Sequence, residues 1–361
     1  MAREMGANTV RTWGTRQGTP AYLDSVYEAG LFVNAGIWLN PAYEDGTCSY
    51  ITDNPCTRQA RRETIEYVSM HKDHPAILFW NIGNEVVHWT KSEEERVAFA
   101  RFLEELIQEV HAIDPNHPVI YTSAYTTAVD YIARYVPSLD ILGLNIYGGL
   151  EEAHEAVVSK LDIPYVVTEF GPLGPWSQPT DVNGKAIDLT DVEKAFWYET
   201  YATLIQQYRG HCLGGYAFYL GESNQVSLTW WNVNFGPHKR SQFLTLEQLY
   251  AGRPIQNKPP HVSEVTLSKQ QNLNPNEEFE ICVRMREPEQ EAVTFRYLAS
   301  TVQEEANLEE FQNQEIPLVV EGRGSTVKAR APMQAGVYRI YAVAVDPHGL
   351  AGTASTTISV Q

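Results

Sequence analysis

The feature that most constrains this chain is a regular alternation of short apolar runs and longer amphipathic segments between residues 8 and 220. Seven of the apolar runs have the length and composition of buried strands, and helical periodicity separates most of them. Strand–helix units that repeat at this spacing favour a parallel sheet covered by helices. The predicted strands are Asn8–Trp13, Leu31–Leu39, Ile77–Gly83, Val119–Ser123, Ile141–Ile146, Tyr165–Glu169 and Gly214–Leu220.

The clearest helix is predicted over Ser92–Ile113. Ser92 can cap its first turn, and Glu95 follows three residues later, which is the spacing of a capping box. Apolar side chains then recur at helical spacing. They are Phe99, Phe102, Leu103, Leu106, Ile107 and Val110.

The chain changes character near residue 258. All eight tryptophans precede residue 232, and residues 252–260 form a proline-rich stretch that cannot continue a helix or a central strand. We therefore place one domain at 1–257 and another at 258–361. In the second, period-two patterns and turn signals predict an antiparallel sandwich. Its seven predicted strands are Val262–Leu267, Phe279–Met285, Val293–Ala299, Ile316–Glu321, Val327–Ala331, Gly336–Val345 and Thr353–Val360.

The composition fits a folded protein with one large and one small domain. Of 361 residues, 43% are apolar and 20% charged, close to ordinary globular usage. The net charge of −18 would repel nucleic acid and acidic membranes, so neither is an expected partner. No apolar run approaches the roughly 18 residues of a membrane span, and the N-terminus has no apolar signal-peptide core.

Cys48 and Cys56 lie close together in a polar loop. They would form a disulfide if the protein is exported and would stay free thiols otherwise, and the sequence leaves both open. The chain carries no convincing metal-ligand pattern, phosphate loop or serine nucleophile motif, so we expect a protein without metal or cofactor.

Two glutamates stand out because each ends an apolar strand. Glu85 follows Ile77–Asn84, and Glu169 follows Tyr165–Thr168. Since the carboxyl ends of parallel barrel strands form one functional face, both side chains are expected in a shared cleft. A carboxylate buried there lowers stability unless it is paired or hydrogen-bonded. Each alone is more simply a helix cap or an arginine partner, whereas two together favour a functional pair.

Two carboxylates across a cleft can divide the work of breaking a glycosidic bond, because one must arrive protonated and the other charged. Arg11 and Tyr147 each end a predicted strand, where hydrogen bonds from them would favour the charged partner. The alternatives are a structural ion pair for Arg11 and an ordinary half-buried aromatic residue for Tyr147.

The strand ends carry motifs that resemble those of retaining glycoside hydrolases with a (β/α)8 TIM-type barrel, the clan of the family 2 and family 5 enzymes. The resemblance covers roughly residues 6–252, and it implies a first barrel strand ahead of residue 1, so that the chain is truncated relative to these enzymes. The motifs are Asn8–Arg11, His74–Ile77, Asn84–Glu85, Asp140–Tyr147 and Thr168–Gly171.

The resemblance also implies roles for individual residues. Glu85 would be the general acid/base and Glu169 the nucleophile. Asn84 would bind the sugar hydroxyl next to the reacting carbon, while Arg11 and Tyr147 would support Glu169. Asn145 belongs to the same motif as Tyr147 and joins the supporting set.

Aromatic side chains at or after strand ends are candidate sugar platforms, because the apolar face of a pyranose stacks on an aromatic ring. Trp230 and Trp231 are the strongest pair, since two neighbours rarely both face inward. Glu222 and Gln225, just ahead of them, would add hydrogen bonds to hydroxyl groups. The further aromatic candidates are Trp38, Trp176 and Tyr219.

The sequence thus predicts a retaining β-glycosidase that acts on an oligo- or polysaccharide, a β-linked glucan or mannan. A transglycosylase that uses the same site, and a truncated carbohydrate-binding protein without catalysis, are the alternatives. The C-terminal half resembles the immunoglobulin-like modules often joined to such enzymes. A periplasmic or extracellular location is expected from the resemblance alone.

Overall fold

Seven parallel strands form one sheet in the computed structural model, which describes residues 1–302 and 313–361. Their order in the sheet is their order in the sequence, β1 to β7. Each predicted strand is found, with ends that differ from the prediction by three residues at most, and the sheet curls into a nearly closed barrel. The strands are β1 Thr9–Arg11, β2 Phe32–Ile37, β3 Ile77–Asn84, β4 Val119–Ala124, β5 Ile141–Ile146, β6 Tyr165–Phe170 and β7 Cys212–Ala217.

Helices connect these strands as the alternation predicts. They are α1 Ala2–Met5, α2 Pro20–Glu28, α3 Pro55–His71, α4 Val86–Trp89, α5 Glu93–Ile113, α6 Val129–Tyr135, α7 Leu150–Lys160, α8 Asp191–Gln207 and α9 Ser241–Ala251, with a short 3₁₀ turn at Pro175–Ser177. No helix in the described part of the chain is both long and apolar enough to cross a membrane.

At the start of α5, one of the two hydrogen bonds of the predicted capping box is present. The Ser92 side chain accepts a hydrogen bond from the backbone N–H of Glu95, as an N-cap does. The Glu95 carboxylate, however, accepts from the Ser49 hydroxyl and from the backbone N–H of Tyr50. The reciprocal half of the capping box is therefore wrong, because a loop distant in sequence competes for the same carboxylate.

The barrel strands carry two layers of side chains that differ in polarity. The lower layer is an apolar cluster in which Phe79 and Tyr216 pack against Ile120, Ile141 and Val166. Two residues further along, and so on the same side of each strand, the residues are Asn81, Thr122, Gly143 and Thr168. Polar groups are thus concentrated toward the carboxyl ends of the strands.

Gly143 shows how tightly the polar layer is packed. A Cβ atom at this position would lie 2.7 Å from Thr122 Oγ1 and 2.9 Å from Thr168 Cγ2. Only glycine therefore leaves room for the two threonine side chains.

The first and last strands of the sheet each pair with one neighbour, β1 with β2 and β7 with β6. This is the arrangement expected of seven strands in sequence order. Between these two edges, the Tyr216 side chain on β7 interacts with Thr9 on β1, which partly opposes the rise that burial causes in the pKa of Tyr216. This side-chain interaction joins the first and the last strand of the sheet.

The C-terminal part forms the predicted all-β sandwich, with the antiparallel sheets of an immunoglobulin-like domain. Its strands are β10 His261–Leu267, β11 Glu278–Arg286, β12 Thr294–Thr301, β13 Glu315–Ile316, β14 Val320–Glu321, β15 Thr326–Arg330, β16 Gly336–Val345 and β17 Ala351–Val360. One sheet has the order β10-β11-β15-β14 and the other β13-β12-β16-β17. A two-stranded ribbon of β8 Asn234–Phe235 and β9 His238–Lys239 precedes them in sequence.

One predicted strand, Ile316–Glu321, is wrong. It divides into β13 and β14, which belong to different sheets. Pro317 lies directly after β13, and because proline lacks the backbone N–H of a sheet ladder, the chain leaves the first sheet there.

The chain divides into two compact units at positions other than residue 257. The first unit comprises residues 1–170 and 201–217, and the second comprises 171–200 and 218–361. Residues 171–200 and 218–257, which the sequence places with the barrel, therefore group with the sandwich. In the first unit, Cys48 in the loop before α3 forms a disulfide with Cys56 in the first turn of that helix, which resolves the alternative left open by the sequence.

A buried ion pair explains why the second unit includes segments so distant in sequence. The Arg240 side chain is fully buried and pairs with Asp191 at the start of α8. Arg240 also donates to the carbonyl oxygens of Thr229 and Asn232, while Asp191 accepts from the backbone N–H (3.0 Å) and hydroxyl (2.9 Å) of Thr353. One ion pair thus joins residues from four parts of the second unit.

Removing Asp191 should strongly destabilise the second unit. In Asp191→Ala the Arg240 guanidinium stays buried without its counter-charge, which typically costs about 3–5 kcal/mol in unfolding free energy. Urea unfolding followed by circular dichroism measures the loss. Glu264→Ala, which breaks the exposed pair with Arg284, is the control and should change stability by less than about 1 kcal/mol. Equal effects of the two variants would contradict this account of the second unit.

Candidate active site

Glu169 lies near the end of β6 and is held by three donors. Its Oε1 accepts from Arg11 Nη1 at 2.7 Å and from the indole Nε1 of Trp13 at 2.9 Å, and its Oε2 accepts from the Tyr147 hydroxyl at 2.8 Å. The residue is 7% exposed. All three partners donate hydrogen bonds, and one of them is a cation, so they hold both oxygens of this side chain in place.

Arg11, at the end of β1, is the centre of this network. Its side chain is 4% exposed. Besides the ion pair with Glu169, Nη2 donates to Asn84 Oδ1 at 2.7 Å, and Nη1 donates to the backbone oxygen of Thr168 at 3.1 Å. The guanidinium therefore ties the ends of β1, β3 and β6 together.

Glu85 follows β3 and stands at the start of α4. Its Oε1 accepts from Asn145 Nδ2 at 2.8 Å, and its Oε2 accepts from the indole Nε1 of Trp89 at 3.1 Å. Burial, and secondarily the negative charge of Glu169, raises the pKa of Glu85 to about 7. The negative charge of Glu169 thus acts on Glu85, whose own partners are the neutral groups of Asn145 and Trp89.

The backbone at Glu85 is in the left-handed region, with φ 57°. A residue with a side chain adopts this conformation at a cost, and such residues cluster at functional sites. Here the sharp change of direction between β3 and α4 brings the Glu85 side chain to the end of the sheet.

The register of the sheet has an irregularity just before each of the two glutamates. Between β3 and β4 the register runs from Asn81 paired with Ile120 to Asn84 paired with Thr122, so β3 contains one extra residue. Between β5 and β6 it runs from Leu144 with Val167 to Asn145 with Glu169, an extra residue in β6. An extra residue changes which side of the strand the following side chain faces.

The structure brings together six of the residues singled out from the sequence. They are Arg11, Asn84, Glu85, Asn145, Tyr147 and Glu169, all in the first compact unit.

Sequence analysis missed four residues of this network. Trp13 lies two residues after Arg11 and so shares its side of the chain, and Trp89 lies four residues after Glu85, one helical turn away. Either spacing was a usable signal. Thr122 had no signal beyond its place near a strand end, whereas Thr168 belongs to the Thr168–Gly171 motif but received no role of its own.

The remaining candidate in the first unit is Trp38, which follows β2. It is half-buried, and its Nε1 donates to Asn40 Oδ1 at 3.0 Å.

The other six candidates belong to the second unit. Trp176 is 67% exposed, and its ring lies over Gly174, where a Cβ atom would be 2.2 Å from it. Tyr219 and Gln225 are half-buried, and Glu222 is exposed.

The reasoning that favoured Trp230 and Trp231 is wrong, because both face inward. They are 0% and 6% exposed, and their indole N–H groups donate to the backbone oxygens of Leu173 and Pro172. The two residues lie in irregular backbone between β7 and β8. Neighbouring side chains alternate sides only in a regular strand, so here both can be buried at once.

Comparison with known proteins is consistent with this geometry. A sequence profile described as glycosyl hydrolases family 2, TIM barrel domain, matches residues 3–205. Human β-glucuronidase is 32% identical over 82 residues, which are 23% of this chain and 11% of the relative. The β-glucuronidase of Pongo abelii is 33% identical over 82 residues, again 23% of this chain and 11% of the relative.

Solved structures resemble the chain over nearly its whole length. An FMN-binding β-glucuronidase from Facaelibacterium prausnitzii L2-6 has a TM-score of 0.52 at 17% identity, covering 99% of this chain and 51% of that one. Bacteroides uniformis β-glucuronidase has a TM-score of 0.52 at 14% identity, covering 100% and 42%. At these identities the likeness is one of fold.

The chain spans about half or less of the length of these relatives. The profile match nevertheless covers more than half of its 361 residues. On that match, the chain belongs to the glycosyl hydrolases of family 2, through their TIM barrel domain.

Proposed function

We propose that this protein is a retaining β-glycosidase in which Glu169 is the nucleophile and Glu85 the general acid/base. One observation carries the proposal: Glu169 accepts three hydrogen bonds, one from a buried guanidinium, while the pKa of neighbouring Glu85 is raised to about 7. A retaining mechanism needs this division, because the nucleophile attacks as a carboxylate while the other group protonates the leaving oxygen.

In the first step the Glu169 carboxylate forms a bond to the anomeric carbon, the glycosidic C–O bond breaks, and Glu85 gives its proton to the departing oxygen. In the second step Glu85, now a carboxylate, takes a proton from water as the water oxygen displaces Glu169. Hydrogen bonds from Arg11, Trp13 and Tyr147 orient Glu169 for attack. The oxygen of the Asn84 amide is committed to Arg11 and Asn145, so its Nδ2 is the atom to meet a sugar hydroxyl.

We further propose a neutral β-linked glucan or mannan as substrate. The cation of the site, Arg11, is already compensated by Glu169, and the chain's net charge of −18 disfavours an anionic sugar. The relatives named β-glucuronidase make the glucuronide the natural competitor. A panel of nitrophenyl β-glycosides decides between them, and higher kcat/KM on the glucuronide than on the glucoside or mannoside would overturn the neutral substrate.

We also propose a periplasmic or extracellular location. The Cys48–Cys56 disulfide supports it, because such bonds persist in oxidising compartments. Peptide mapping of protein isolated from its native cells, with free thiols blocked at lysis, should recover the two cysteines as one linked pair. Recovery of both as blocked thiols would contradict this location.

Replacing the nucleophile should abolish turnover without unfolding the barrel. Glu169→Gln keeps the shape of the side chain but cannot form the glycosyl-enzyme, so kcat should fall by roughly three orders of magnitude or more. Glu66→Gln, which changes an exposed glutamate of α3, is the matched control and should keep wild-type kcat. Circular dichroism checks that both variants are folded.

Mass spectrometry then separates a retaining enzyme from its alternatives. A 2-deoxy-2-fluoro glycoside with a dinitrophenyl leaving group should leave a sugar on Glu169, since the fluorine slows both steps while the good leaving group keeps the first step faster than the second. An inverted anomer in the product with no adduct would contradict retention. Sugar binding by the wild type with no product would favour the carbohydrate-binding alternative, and transfer to added acceptor sugars would favour the transglycosylase.

The pH dependence should reflect the raised pKa of Glu85. The acid must be protonated, so kcat/KM should fall as pH rises through about 7, where Glu85 loses its proton. A dinitrophenyl glycoside, whose leaving group needs little protonation, should show a weaker fall in the first step. Rates that rise between pH 6 and 8 on an alkyl glycoside would contradict the assignment of Glu85 as the acid.

A further inference from the structure

The amide of Asn145, in β5, has its two ends in opposite environments. Its Oδ1 accepts from Thr168 Oγ1 at 2.9 Å and more distantly from Arg11 Nη1 at 3.5 Å. Its Nδ2 donates to Glu85 Oε1 at 2.8 Å and to Asn84 Oδ1 at 3.2 Å. Hydrogen-bond donors therefore surround the Oδ1 end of the amide, and acceptors surround its Nδ2 end.

Turning this amide over would reverse each of these contacts. Oδ1 would then oppose the oxygens of Glu85 and Asn84, and Nδ2 would oppose the Arg11 guanidinium. The reversed amide is compatible with Glu85 only when Glu85 is protonated and can itself donate a hydrogen bond. The orientation of the amide is thus linked to the proton that the acid/base must gain and lose.

The Thr168 hydroxyl is the group best placed to hold the orientation. Thr168 is 1% exposed, and its bond to Asn145 is the shorter of the two that reach Oδ1. Arg11 is engaged by Glu169 and Asn84 at 2.7 Å each, so its contact with Asn145 is secondary. A buried amide oxygen that loses its main donor gains from turning toward another.

We propose that Thr168 is a positioning residue for the acid/base: its hydroxyl fixes the Asn145 amide with Nδ2 toward Glu85. The consequence for catalysis rests on the proposed function, whereas the effect of Thr168 on the protonation of Glu85 does not. With Nδ2 toward Glu85, the amide favours the carboxylate and partly offsets the burial and the Glu169 charge that favour the acid. Thr168 thereby keeps Glu85 able to release its proton as well as to hold it.

The other charged and titratable groups facing Glu85 stay in place when Thr168 is changed. They are Glu169 on β6, Arg11 on β1 and Tyr121 on β4. Thr168→Val removes the hydroxyl and keeps the shape of the side chain, while Thr168→Ser keeps the hydroxyl. The pair therefore isolates the hydrogen bond from packing.

The first readout does not depend on activity. Protein labelled with ¹³C at glutamate side-chain carboxyls is titrated by NMR, with Glu85→Gln used to identify the Glu85 signal. In Thr168→Val the Glu85 midpoint should move upward by roughly half to one pH unit, the size expected for one lost hydrogen bond. In Thr168→Ser the Glu85 midpoint should differ from that of the wild type by less than about half of that shift. Thr64→Val, which removes a buried hydroxyl bonded to the Ala60 oxygen in α3, should leave the midpoint unchanged.

A double-mutant comparison tests whether Thr168 acts through Asn145. In an Asn145→Ala background there is no amide to orient, so Thr168→Val should no longer shift the midpoint. A shift that persists in this background would overturn the proposal, as would an unshifted midpoint in a folded Thr168→Val protein. If Thr168→Val fails to fold, Thr168→Ala compared with Thr168→Ser provides the same test.

The kinetic readout separates this proposal from the proposed function. In an active enzyme the alkaline limb of kcat/KM should move upward with the NMR midpoint in Thr168→Val and return in Thr168→Ser. A protein with the NMR shift but no turnover of any glycoside would overturn the proposed function and support the positioning role. Turnover with an unmoved alkaline limb would overturn the positioning role and leave the glycosidase assignment intact.

Discussion

The site depends on one buried cation. The Arg11 guanidinium lies at the carboxyl end of β1 with 4% of its side chain exposed, where an uncompensated charge would be very unfavourable. Its compensation comes from the Glu169 carboxylate and from oxygens of Asn84 and Thr168. The need to satisfy this one group therefore fixes the positions of side chains on three strands, and it supplies one of the three donors that hold Glu169.

Compensation by Glu169 also makes the two carboxylates unequal. Because the Arg11 charge is paired with Glu169, it lowers the pKa of Glu85 only slightly. Burial and the negative charge of Glu169 have the larger effect, and both raise the pKa of Glu85. A second cation beside Glu85 would lower that pKa. The division of roles proposed for the two glutamates thus rests on where the single arginine cation lies, beside Glu169, rather than on any unusual property of Glu85 itself.

The sequence could predict the parts of this arrangement that depend on periodicity. Strand ends are visible as the ends of apolar runs, so Arg11, Glu85 and Glu169 could be placed at one edge of a parallel sheet before any coordinates. Burial in irregular backbone could not be predicted in the same way. Trp230 and Trp231 both face inward because each indole N–H meets a backbone oxygen of residues 172–173. The Arg240–Asp191 ion pair, which groups residues 171–200 with the sandwich, likewise joins residues too distant in sequence to reveal their pairing.

The extra residues in β3 and β6 interrupt the periodicity of strands that the sequence does predict. They also explain how so many side chains of the site can lie close together. In a regular strand, Thr168 and Glu169 would face opposite sides, and so would Asn81 and Asn84. The irregularities of register before Asn84 and Glu169 let Thr168 bond Asn145 while Glu169, its immediate neighbour, bonds Arg11. Because Glu169 and the threonine that reaches Glu85 through Asn145 are consecutive in sequence, movement of the β6 end would disturb the surroundings of both carboxyl groups at once. The polar layer beneath them, closely packed around Gly143, opposes that movement.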